Sequence, residues 1–443
     1  MIKRIAILVV MVGAAAAGFL VPRPADAPDP LAGLIIEKPG LTSPTEAGLW
    51  YCAWAQSNAS RDSLLSIASM ESGSASFTFP VAIPGTDPDT AMLETVGPGA
   101  SELQLSEIAQ RGDSPFLIEF DSGPSAATVI VGGDMLAADA CVSQGPDVWY
   151  FAGGSTMPGE ELTLRIFNPF PETAKVTVGG VSEIGVEALG DFRSWSINAR
   201  SWRDIALQQE LNSRLDLVVS VTVNEGWVVP AMALRTETDD AWWPGSGVAE
   251  TWEFPVVGTP GMEGSLVVSN PGAGPVTLTV DLYTPEGPVL GAVVLQLERD
   301  APVRIDLSGL AGANYGARVS ATGPVTAAAI ASGEGGLAVT SGAQDGSRTW
   351  LLPGLRTAGL EEATLWLLNT HEDAVSVTVS ILTGGGLVGE TVSVDAGTVQ
   401  AFGPVPEGGL GYLVDSPFPL TAAWSIVSPT GIAYASGLPV GDE

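Results

Sequence analysis

One histidine, two cysteines and 18 basic residues against 50 acidic ones leave this 443-residue sequence poor in the side chains that most catalysis uses. The single histidine, His371 in "NTHEDA", would have to serve any histidine-dependent triad or zinc site, and the further zinc ligands are missing. It reads as a surface turn residue. There is no G-x-S-x-G elbow and no Cys-x-x-Cys pair, which removes the usual nucleophile and redox signatures. No D-x-D-x-D-G loop occurs, and the carboxylates are scattered in twos such as Asp239–Asp240 and Glu361–Glu362, so no calcium or other metal site is marked. A net charge of −32 repels nucleic acid and anionic lipid surfaces. No cofactor motif survives inspection. "GGGLVG" (Gly384 to Gly389) fits G-x-G-x-x-G, but a strand pattern follows it where nucleotide binding needs a helix. "FDSGPS" (Phe120–Ser125) carries one Asp-Ser-Gly where an aspartic protease needs two carboxylates, and "RGD" (Arg111–Asp113) suits a polar turn. No catalytic residue is assigned.

One apolar run is present, at the N-terminus. Lys3 and Arg4 precede an uncharged stretch from Ile5 to Val21, then "PRPADAPDP", with Ala25 and Ala27 suited to cleavage after Ala27. Its length fits either a cleaved signal or an uncleaved single anchor, and no second run is long enough to span. Both outcomes put the remainder outside the cytoplasm. Cleavage there leaves 15 basic and 49 acidic residues, a net charge of −34.

Hydrophobic residues make up 45% of the chain, with 54 glycines and 33 prolines, a composition for many short strands joined by tight turns. "LRIFNPFPETAKVTV" (Leu164–Val178) aligns without a gap to "LVVSNPGAGPVTLTV" (Leu266–Val280) and "LWLLNTHEDAVSVTV" (Leu365–Val379). Asn168, Asn270 and Asn369 share one position, and Thr177, Thr279 and Thr378 another. "LSIASMESGSASFTF" (Leu65–Phe79) is a weaker copy with Ser69 at the Asn position. A tryptophan leads each copy at nearly constant spacing: Trp50, Trp149, Trp252 and Trp350. Period-two alternation around a turn-forming Asn makes the phrase a β-hairpin. A second hairpin and a further strand pair follow, giving about seven strands per hundred residues, as in an immunoglobulin-like sandwich. A β-propeller fits less well, because its blades repeat every 40–50 residues or so.

The expected fold is therefore all-β, four tandem immunoglobulin-like sandwiches standing in a row. They follow a signal or anchor (1–27) and a Pro-rich linker (28–49), with copies at 50–148, 149–250, 251–348 and 349–443. A fragment such as Trp252–Gly346 is expected to hold its own core. "SWRDIALQQELNSRL" (Ser201–Leu215) is the one stretch expected to be helical. Cys52 and Cys141 both lie in copy one, and Phe151, Phe254 and Leu352 hold the Cys52 position in the other copies. A core disulfide between them is expected, with two free buried thiols as the alternative. Trp242 and Trp243, in the polar segment "TDDAWWPGSG", are candidates for stacking on a sugar or partner, against the alternative of burial between copies.

The export signal, "WYC" near the mature start and the "L-x-Φ-x-N-P" hairpins together resemble actinobacterial exported proteins of domain-of-unknown-function family 5719. The excess of arginine (15) over lysine (3) fits a GC-rich genome. The resemblance implies no catalytic residue. The expectation is a non-enzymatic extracytoplasmic scaffold or binding protein of the cell envelope, its partner an envelope protein or cell-wall glycan. The alternative is a glycan-acting enzyme or carbohydrate-binding accessory module, since a glycosidase can draw its two acids from distant loops.

Overall fold

A computed structural model describes residues 48–440, apart from 59–60, 80–91, 109–111, 191–193, 355–361 and single positions 114, 122, 311, 313, 335, 404, 406 and 407. The signal or anchor and nearly all of the Pro-rich linker lie outside the described residues. So does Arg111 of the "RGD" tripeptide.

Copy three shows the plan most plainly. Its strands are Ala249–Gly258, Met262–Ser269, Val276–Thr284, Gly287–Leu297, Val303–Asp306, Tyr315–Gly333 and Gly336–Thr340. Both hairpins and both sheets are antiparallel. One sheet runs 287–297, 276–284, 315–321, 249–258. The other runs 303–306, 262–269, 326–333, 336–340. The long sixth strand serves both sheets, and copy four repeats this with Gly411–Ser428. In copies one and two the same path is two strands, Phe116–Phe120 with Ser125–Gly133, and Leu217–Glu225 with Val229–Arg235. The chain is all-β, and its sheets fall within the four repeats.

The repeated asparagine explains why the phrase recurs. Asn168, Asn270 and Asn369 have no exposed surface, and each side-chain oxygen accepts from the backbone N–H two residues on, at 3.0, 2.8 and 3.0 Å. Each amide donates across the link to Glu172, Gly274 or Asp373 O at 2.7–2.9 Å. It also donates to the strand beyond, at Ile197, Leu297 or Val394 O. A buried turn is thus supplied with the partners that water would otherwise give. In copy one, Ser69 Oγ makes the shorter version, donating to Glu71 O and accepting from Glu71 N.

The expected helix is corrected. Ser201–Ala206 is a strand in register with Glu161–Asn168, Trp202 opposite Phe167, and only Leu207–Gln209 turns as a 3₁₀ helix. The segment occupies the sheet edge that Val303–Asp306 and Thr398–Phe402 fill in copies three and four. Pairing there outweighs local helix propensity.

The expectation of four sandwiches in a row is corrected too. The strand pairs behind the long strand are buried on both faces. In Thr326–Gly333, Ala327 and Ala329 face the core of copy three, while Ala328 and Ile330 face copy two. Copy one packs around Phe167, Val229 and Trp242 of copy two. Val256 and Tyr283 of copy three meet Trp366, Leu368 and Ala423 of copy four. The series then closes: Ile130, Leu136 and Ala138 of copy one sit in the core of copy four, and Leu351, Leu382 and Leu413 of copy four in that of copy one. The described residues fall in one compact unit.

Polar contacts pin the junctions. Fully buried Arg165 pairs with Asp204 at 2.7 Å, stands 4.1 Å over the Trp54 ring of copy one and donates to Ala53 O. Arg304 of copy three pairs with Asp216 of copy two at 2.6 Å. Glu253 of copy three accepts from Thr370 and Thr421 of copy four.

Candidate functional site

Four equivalent short strands meet where the copies converge: Ala137–Ala140, Asp240–Pro244, Gly336–Thr340 and Gly431–Ser436. Each touches the next in order, and the fourth touches the first. After each, the chain turns back onto the Trp-led strand of its own copy. Val142 pairs with Tyr51, Ser246 with Tyr150, Ala343 with Glu253, and Leu438 with Leu351.

The residue before each of these return positions repeats a second pattern. In copies two to four it is Gly245, Gly342 and Gly437. A Cβ there would stand 2.7 Å from Phe151, 2.5 Å from Phe254, and 2.9 Å from Trp350 with Leu352 at 3.1 Å. A bulky side chain on the first strand therefore requires glycine opposite. In copy one the same two positions are Cys52 and Cys141, and they are joined in a disulfide with Cα atoms 4.5 Å apart. The expected bridge is present, and it replaces an aromatic–glycine contact.

The return segments of all four copies enclose one cavity of about 340 Å³. Copy one contributes Cys141–Gln144, copy two Trp242 and Pro244–Ser246, copy three Val339–Gly342 with Gln344, and copy four Tyr434–Pro439. Trp50, Trp252 and Ala138 complete it. The four Trp-led anchors are buried, with Trp50 Nε1 donating to Ser125 Oγ at 3.2 Å, and Trp252 and Trp350 to Val325 O and Leu420 O, both at 2.8 Å. The lining mixes aromatic edges, aliphatic groups, hydroxyls and two amides. No lining residue carries a charge, in a chain of net charge −32.

The opposite ends of the inner strands hold a buried carboxylate. Asp239 is 1% exposed and accepts from the backbone N–H groups of Leu337 in copy three and of Asp240. Its carboxylate fills the space a Cβ would need at Gly336 and, at 2.6 Å, at Gly431. Burial pushes its pKa up to about 7, with the Asp240 charge adding to the rise and the two N–H groups opposing it. Asp240 is itself buried, held by Arg61 of copy one at 2.5 Å and by Arg235 at 3.4 Å.

Trp242 and Trp243 do not form an exposed contact pair; they are 2% and 1% exposed. Successive residues of one strand point to opposite faces. Trp242 therefore stacks on Trp54 of copy one at 5.6 Å, and Trp243 enters the core of copy two. Trp242 also lines the cavity wall. His371 lies in the hairpin link, its Nε2 2.7 Å from Pro419 O. Asp121 accepts from the backbone N–H and hydroxyl of Ser74, both at 2.6 Å, as a turn residue does. Gly386–Val394 is a strand, where a nucleotide-binding glycine motif would need a helix. Among the described residues, no group of three or more His, Cys, Asp or Glu could hold a metal. No described helix is long and apolar enough to cross a membrane. The cavity is assembled from segments of all four copies, which no local sequence pattern marks beyond the glycine or cysteine that follows each inner strand.

Residues 119–338 match the profile of a family of unknown function (DUF5719), the family its tryptophan and Asn-Pro motifs resemble. No curated protein matches the chain. Among solved structures, a crystal structure of a tetra-tandem repeat in the extending region of a large adhesion protein is 12% identical. It covers 84% of this chain and 92% of that one at a TM-score of 0.11, too low to bear on the fold.

Proposed function

From the premise that this chain carries a family of unknown function across residues 119–338, we propose a non-enzymatic extracytoplasmic scaffold or binding protein of the cell envelope. Its four sandwiches act as one closed unit that presents a common mouth to a partner. The observation that carries this reading is the cavity itself, built from equivalent segments of all four copies and lined without a charge. General acid–base or nucleophilic chemistry needs positioned groups with tuned pKa values. The buried carboxylate with a raised pKa, Asp239, is at the other end of the inner strands and shielded from solvent. The disulfide and the apolar N-terminal run support export.

The test is photo-crosslinking in intact source cells, with a benzophenone amino acid at Ser246 on the mouth or at exposed Glu172 on an outer turn. The reading expects the full chain outside the cytoplasm and a discrete envelope adduct from position 246 alone. A cytoplasmic protein, equal labelling from both positions, or release of sugar from isolated cell wall by the purified chain would contradict it.

A further inference from the structure

We infer that the mouth cavity is a binding site for a neutral saccharide of one or two rings. This rests on the reading above that the mouth is the binding surface, and it names the class of ligand. At about 340 Å³ the cavity lies at the small end of the range for small-molecule sites. Its walls carry no ionised group, so a charged ligand would lose hydration there without gaining a counter-charge. The acidic surface outside repels anions as well.

The polar groups in the wall are supplied by different copies. Ser143 is 8% exposed, and it makes no side-chain hydrogen bond among the described residues. Ser246 and Gln344 likewise make none. These groups open on the cavity, and their donors and acceptors are available to a ligand that enters it. Trp242 and Tyr434 supply apolar wall between these groups. Hydroxyls and an amide spaced around apolar edges match a sugar ring, which carries its own hydroxyls around a C–H framework. An extended peptide fits less well. The backbone N–H and C=O of Val142, Ser246 and Ala343 are all bonded to the Trp-led strands, so these positions offer no free edge for strand addition.

The test uses the full chain after its N-terminal run, titrated with maltose and N,N′-diacetylchitobiose. The deacetylated, cationic form of chitobiose, digalacturonate and a neutral acetyl-Gly-Ser-Gly-amide serve as comparisons. Calorimetry and tryptophan fluorescence report binding, since Trp50, Trp242 and Trp252 line the cavity. At least one neutral disaccharide should bind saturably, and both charged disaccharides at least about tenfold more weakly. Ser246→Glu should weaken the neutral sugar by at least about tenfold, while Ser246→Gln stays within about threefold. Saturable binding of neither neutral disaccharide, or equal binding of a charged one, overturns the inference. Binding of the peptide alone also overturns it, while leaving the mouth as a binding surface. Loss of the position-246 crosslink is the separate result that removes the underlying function.

Discussion

Replacing Asp239 with asparagine should be nearly neutral for stability at pH 5 and stabilising at pH 8. The carboxyl titrates near 3.8 when unfolded and is pushed up to about 7 in the folded chain, first by burial and then by the Asp240 charge. Between those values the folded state binds a proton that the unfolded state does not. Its contribution is therefore fully present below about pH 4, falls as pH rises, and is lost above about pH 7. A displacement from 3.8 to about 7 corresponds to about 4 kcal/mol. Asparagine keeps one acceptor for Leu337 or Asp240 N–H and gives up the other, a cost of about 1–2 kcal/mol at either pH. At pH 5 the parent has already lost about 2 kcal/mol of that contribution, so the variant should be about as stable as the parent there and more stable at pH 8. Urea unfolding of both proteins at both pH values, at constant ionic strength, reads the difference of differences. That comparison cancels the general self-repulsion of an acidic chain. A variant-minus-parent difference that is the same at pH 5 and pH 8 would refute the reasoning.

Three further outcomes follow from the packing. Trp242→Ala and Trp243→Ala should each lower stability by about 3–5 kcal/mol in thermal or urea unfolding, because both side chains are buried; a neutral effect would return them to the surface. Cys52→Ser with Cys141→Ser opens a covalent link across a sequence separation of 89. It should cost about 4–5 kcal/mol in the chain-entropy model, read as the same loss on reducing the parent and as no further loss on reducing the variant. Asn369→Ala leaves the carbonyls of Asp373 and Val394 without their amide donor and should cost at least about 1–3 kcal/mol. Asn369→Asp should not rescue it, since a carboxylate cannot donate.

Much of the fold was legible in the sequence because the relevant forces are local. Asn168, Asn270 and Asn369 recur because one buried turn needs the same hydrogen bonds in each copy. The tryptophans keep their spacing because each anchors the same first strand, and Cys52 read as inward from the Phe and Leu at its equivalents. What failed was long-range. Ser201–Ala206 carries a helical composition, but a vacant sheet edge claims it. Trp242 and Trp243 sit in a polar-looking segment, and tertiary packing buries them, Trp242 against Trp54 of copy one and Trp243 in the core of copy two. The closure left a trace that alternation alone does not explain. "VTAAAIAS" (Val325–Ser332) and "VPAMALR" (Val229–Arg235) are apolar without alternation, as expected of strands covered on both faces. The cavity and Asp239 are assembled from segments about a hundred residues apart, so no local spacing rule finds them.

Closure of the fourth copy onto the first is the claim on which the shared mouth depends, and a distance between spin labels tests it most directly. Gly99 of copy one lies against the Thr383 carbonyl of copy four. Labels on Pro98→Cys and Gly385→Cys, both exposed positions beside this contact, should therefore be separated by less than about 25 Å, allowing for the label arms and one to two residues of about 3.8 Å each. Copies standing in a row would place two domains between them, each with a radius of gyration of about 13 Å, and hold the labels roughly 70 Å apart or more. A single narrow distribution at the short distance, with the Cys52–Cys141 bridge intact, is the predicted result. A distribution centred at the long one would contradict the closed arrangement.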